Sequence, residues 1–182
     1  MTFSLGPTPS PSRSNTRPED DAYALYLSLS RRFDDAIGVA NAGLAVDPNF
    51  APLYVPRATA KISLGRFEEG KADAERAMSL SPRDEQSSTF HVIVGDAELS
   101  LGHFDAATDE YRKAIDVGPR QFFQYTNLAA AYAHAGKMDD AKVALAEARR
   151  LNPAITVKWM QQHTPNLPVV FDGLRKAGLP EE

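Results

Sequence analysis

Four features of the sequence combine residue types and spacings that could do chemistry. The first is Gly65-Arg66-Phe67-Glu68-Glu69-Gly70-Lys71-Ala72. It nearly copies the G-x-x-x-x-G-K-[ST] loop, whose backbone N–H groups and lysine cradle phosphates while a hydroxyl reaches magnesium. That loop needs a strand before it and a hydroxyl after the lysine. Here a helical stretch precedes it and Ala72 has no hydroxyl, so a nucleotide site is not expected. The second feature is the set His91, His103, His134 and His163. No pair has the i, i+4 spacing that would bring two imidazoles to one metal ion. Third come the carboxylate pairs Asp34/Asp35, Glu68/Glu69 and Asp139/Asp140. They suggest acid–base work until their common position, in the first turn of a helix, explains them by attraction to the positive helix end. Fourth, Phe122, Phe123, Tyr125 and Tyr132 could stack bases, but helical spacing splits them between two faces. Core packing is expected of Tyr125 and Tyr132. No catalytic residue, metal site or cofactor is expected, and the chain has no cysteine to supply a thiolate.

The elements that hold these residues are set by an internal period. Prolines 48, 82, 119 and 153 close successive units at intervals of 34, 37 and 34 residues. A unit of that length suits a helix–turn–helix. The extra residues of the middle interval are placed in the turn Arg83–Ser87. Twelve residues before each proline stand Ala36, Gly70, Ala107 and Ala141; twelve further back stand Ala24, Ala58, Gly95 and Ala129. Five before each proline stand Gly43, Ala77, Ala114 and Ala148. All twelve are small, as close helix crossings require. Gly65, Gly102 and Gly136 end the first helices of units two to four, where a left-handed residue is favoured. Arg31 holds that place in unit one, whose turn is therefore expected to be the least regular. Pro56 falls inside the first helix of unit two and predicts a delayed start or a kink.

These residues resemble the tetratricopeptide repeat family, over 17–153, as four units: 17–50, 51–84, 88–121 and 122–153. The resemblance implies an all-α solenoid, a right-handed superhelix of helical hairpins. Residues 1–16, rich in proline and serine, are expected to be a disordered leader. Residues 154–182 are expected to form C-terminal capping helices, with Trp159 plugging the last docking face. The ending FDGLRKAGLPEE, with NLAAAYAHAGKMDDAKVALAEARRLNPAITVKWM, is similar to the C-terminal repeat region of rhizobial-type class III adenylate/guanylate cyclases. That implies a regulatory module in signalling.

In the family, the first helices line a concave groove that receives a peptide. Carrying the register over, the groove residues are Leu25, Thr59, Ile62, Val92, Asp96, Leu99, Phe123, Asn127, Ala130 and His134. Some members clamp acidic C-termini with basic residues and asparagines; the matching places here hold Asp21, Leu25, Pro56, Thr89 and Ile93. None is basic, so an acidic ligand is disfavoured. The expected partner is a polypeptide, presented as an amphipathic helix or a hydrophobic strand. The leader or the last helix could also fill such a lining. A formal charge of −4 argues against a nucleic-acid groove, and no apolar run is long enough to span a membrane. The cytoplasm is the expected location. The alternative is a structural or homo-oligomerisation module left from a cyclase- or regulator-like protein.

Overall fold

A computed structural model describes residues 18–81, 87–164 and 167–182; the expected leader and most of the expected Arg83–Ser87 turn lie outside them. Among the described residues there are ten α-helices and no strand. They pair as hairpins: α1 (Pro18–Leu29) with α2 (Phe33–Val46), α3 (Tyr54–Ser63) with α4 (Phe67–Leu80), α5 (Ser87–Ser100) with α6 (Phe104–Val117), and α7 (Phe122–His134) with α8 (Met138–Leu151). Two further helices follow, α9 (Val157–His163) and α10 (Pro168–Ala177). Each second helix packs on the first helix of the next hairpin. The first helices also touch one another in succession, whereas the second helices do not. The stack therefore curves with α1, α3, α5 and α7 on its inner side.

Helix contact runs through the small residues. All nine alanines of the twelve small positions are 0% exposed, and Gly43, Gly70 and Gly95 are buried with them. The two inter-helix glycines show how little room is left. A Cβ at Gly95 would lie 2.6 Å from the Tyr111 ring, and one at Gly70 would lie 2.5 Å from Ile62. The phosphate-loop likeness at Gly65–Ala72 is thereby explained: Gly70 sits inside α4 at a helix crossing, and Lys71 pairs with Glu98 at 2.5 Å. Pro56 is accommodated by a late helix start. Ala51–Leu53 forms a 3-10 turn, and α3 begins at Tyr54. Pro56 then lies in the first helical turn, where an N–H would have had no intrahelical partner.

The four hairpin turns share one geometry. Gly65, Gly102 and Gly136 have φ between 76° and 82°, and Arg31 has φ 58°. In each case the next residue donates its N–H back five positions, from Arg32 to Leu27, Arg66 to Lys61, His103 to Glu98 and Lys137 to Tyr132. Position thus dictates a left-handed residue even where the side chain disfavours it. An L-residue with a Cβ is less stable there by roughly 1–2 kcal/mol than in the right-handed region, whereas glycine is not. Arg31→Gly is expected to raise the unfolding free energy by about 1 kcal/mol in urea titrations at unchanged helicity. A loss of stability would mean that the arginine side chain supports the turn.

Candidate peptide-binding groove

The inner face is built from helix positions four residues apart, which share one side of a helix. On α1 these are Asp21, Leu25 and Leu29; Leu25 is 44% and Leu29 is 77% exposed. On α3, Thr59 is half-buried, its hydroxyl donating to the Val55 carbonyl at 3.0 Å, and Ile62 is buried. On α5, Val92 and Leu99 are buried while Asp96 keeps some surface. On α7, Asn127 and Ala130 are buried, and Phe123 and His134 are half-buried. Of the ten groove residues read from the sequence, Leu25 alone is exposed. Ile62, Val92, Leu99, Asn127 and Ala130 offer little or no free surface.

Asp96 and Asn127 do come together. Asp96 Oδ1 accepts from Asn127 Nδ2 at 2.9 Å and from Tyr111 Oη at 2.8 Å. Tyr111 arrives from α6 and is fully buried. Both donors are neutral. Burial pushes the Asp96 carboxyl up to about 7, against the two hydrogen bonds, which favour its charged form. His134 does not join them. Its Nε2 donates to the Val169 carbonyl at 2.8 Å, its Nδ1 faces Lys176 Nζ at 3.2 Å, and its ring stacks on Phe104 at 5.0 Å. The remaining histidines are tied locally: His91 to Glu110 and His103 to Glu98, each at 2.7 Å, and His163 against the Trp159 ring at 4.4 Å. Among the described residues no three His, Asp or Glu side chains gather to hold a metal ion.

Val169 and Lys176 belong to α10, which closes one end of the inner face. This helix packs chiefly on α7 and reaches back to α5, two first helices at once. A cap stacked on the end of the solenoid would instead favour α8. The crossing is tight: a Cβ at Gly173 would lie 2.7 Å from both the Cα and Cβ of Ala130. Gly178, at φ 93°, ends α10, and the Pro180 and Glu181 carbonyls then accept the N–H groups of Val157 and Lys158 at the start of α9. Trp159 lies edge-on to Phe122 at 5.6 Å, so α9 leans on the start of α7. Where capping helices are expected, residues 154–182 hold two helices, and the second lies against the inner face of α7 instead of on the end of the stack. Sequence reasoning leaves the filling of the groove open and does not single out Tyr111 or Gly173. A glycine in the middle of an amphipathic helix is the available signal for the latter.

The architecture is that of a tetratricopeptide-type helical solenoid. Residues 51–84 match the family model for the tetratricopeptide repeat. Several solved structures share the fold. The crystal structure of MamA superposes with a TM-score of 0.62 at 19% identity, over 88% of this chain and 86% of that one. YrrB, described as a TPR protein with an unusual peptide-binding site, gives 0.61 at 16%, over 88% and 84%. TTC0263, a thermophilic TPR protein of Thermus thermophilus, gives 0.63 at 17%, over 86% and 89%. No curated protein matches the sequence.

Because the folded state holds a proton on Asp96 more tightly than the unfolded chain does, stability from this site is greatest at low pH. It falls as pH rises from about 4, the unfolded carboxylate value, through about 7. Asparagine would keep an acceptor for Tyr111 and Asn127 without the buried charge. Asp96→Asn is expected to be more stable than the native chain by about 2 kcal/mol at pH 8 and nearly equal to it at pH 4, by urea denaturation at both values. A gap that stays constant with pH would refute this origin.

Proposed function

We propose that this chain is a protein-interaction module that holds a polypeptide on the inner face of its first helices. The observation that carries the reading is α10: an amphipathic helix already lies on this surface, with Gly173 against Ala130. A surface that accepts a helix from its own chain has the shape and the apolar floor to accept one from another. The described residues leave the α1–α3 side uncovered, with Leu25 and Leu29 open. That half is where we place the partner, with Thr59, Asp96 and Phe123 at its edge. YrrB, of the same fold, is described as having a peptide-binding site. We assign the chain no catalytic role. The setting we propose is cytoplasmic and regulatory, from the cysteine-free composition and the similarity of the ending to cyclase repeat regions. Among the described residues no helix is long and apolar enough to cross a membrane.

The docked α10 also supports a second reading, in which the groove is structural or joins copies of the chain. One experiment separates the two. The native chain and a Leu25→Lys/Thr59→Lys variant are compared for polypeptide capture, sedimentation and helicity. Binding of a defined, subsequently purified polypeptide at least tenfold weaker in the folded variant is the expected result. A native dimer that the variant dissociates, with no polypeptide bound to either form, would establish the second reading instead.

A further inference from the structure

Among the described residues, five buried or half-buried carboxylates fall into two groups. Those between helices away from the inner face each have a cation. Asp73 takes both Arg57, through two hydrogen bonds of 2.8 and 2.6 Å, and Lys61 at 2.8 Å. Glu98 takes Lys71 at 2.5 Å and His103 at 2.7 Å. Glu110 takes Lys113 at 2.6 Å and His91 at 2.7 Å. Burial alone would raise Glu98 and Glu110, but their partners hold both below the usual carboxylate range. The two on the inner face differ. Asp96 receives only neutral donors, both on Oδ1, and Oδ2 has no partner among the described residues. Asp21, one turn before Leu25, has a buried Oδ1 with no hydrogen-bond partner among them. An unmatched buried acceptor is unfavourable, and an unmatched charge more so, unless something completes it.

Resting on the groove reading above, we propose that the open half of the groove takes a cationic amphipathic segment. Lysine or arginine side chains of the partner meet Asp21 and Asp96, and its apolar residues rest on Leu25 and Leu29. The neighbouring inner-face positions support this assignment. Val55, Thr59 and Ser63 of α3 and Val92 and Ser100 of α5 carry no charge, and Arg57 and Lys61 are committed to Asp73. Among the described residues no cation reaches either carboxylate. Tyr111 and Asn127 are positioning residues, which fix Oδ1 and so aim the other oxygen. An acidic segment would add like charge to an unsatisfied site, which selects against it.

The test uses the full chain and three fluorescent amphipathic helical peptides with identical leucine patterns and lysine, glutamine or glutamate as the polar residue. Fluorescence anisotropy is read at pH 8 and low salt. The expected order is lysine tightest, glutamine about tenfold weaker and glutamate weaker still, one charge-assisted pair corresponding to about a factor of ten. Asp21→Asn/Asp96→Asn should erase the lysine preference at unchanged helicity, and Asp21→Asn alone should reduce it. Asp109→Asn/Asp139→Asn removes the same formal charge from exposed positions on second helices and should leave the preference intact. Equal binding of the lysine and glutamine peptides, or a preference that survives the Asp21/Asp96 variant, overturns the cationic partner while leaving the groove reading standing. If none of the three peptides binds, both fall.

Discussion

Two helices can approach to about 8 Å only where each presents little side chain at the crossing, and the curvature of a helical stack depends on where those crossings recur. In this chain they recur at Ala24, Ala58, Gly95 and Ala129 on the first helices, and at Ala36, Gly70, Ala107 and Ala141 on the second. The zero exposure of the alanines among them shows that water does not reach these crossings. Because the first helices pack on one another and the second helices do not, the residues four apart along α1, α3, α5 and α7 are brought to one inner face. Groove and core are consequences of one spacing rule.

Electrostatics then divides the molecule. Where a carboxylate is buried between helices, the chain provides a cation from another helix, as Arg57 and Lys61 do for Asp73. Such pairs offset the cost of desolvation and leave the helices in a fixed register. On the inner face that rule is not followed: Asp96 is held by a phenol and an amide, and the buried oxygen of Asp21 by nothing among the described residues. Departures from an otherwise general local rule are expected where a surface has work to do beyond folding.

The fold was legible in the sequence because its determinants are local and repeat. Small residues at fixed distances from a closing proline, glycine at the left-handed turn, and acidic first turns each reflect a constraint that acts within one hairpin. One irregularity was readable and one was not. Pro56 delays α3 as its position implied, whereas the Arg31 turn, expected to be the least regular, adopts the conformation that glycine has elsewhere. The inner face was legible only by register. Leu25 is open as that register implies, whereas Ala130 and Leu99 are fully covered. Ala130 is covered because α10 returns to α7 across more than forty residues of sequence, and no period encodes that contact. Tyr111 was hidden for a related reason. It lies on a second helix, and its contact with Asp96 depends on how two helices cross.

Where α10 lies decides how much of the groove is left for a partner, so its position is the claim on which the functional account turns. The direct measurement is an NMR search for a nuclear Overhauser contact between the Ala130 methyl group and the Gly173 α-protons in the full chain. A strong contact is predicted, since the two backbones are in van der Waals contact at that crossing. Its absence, with Gly173 showing contacts to α8 alone, would place α10 as an ordinary end cap and contradict the account of a groove half closed by its own chain.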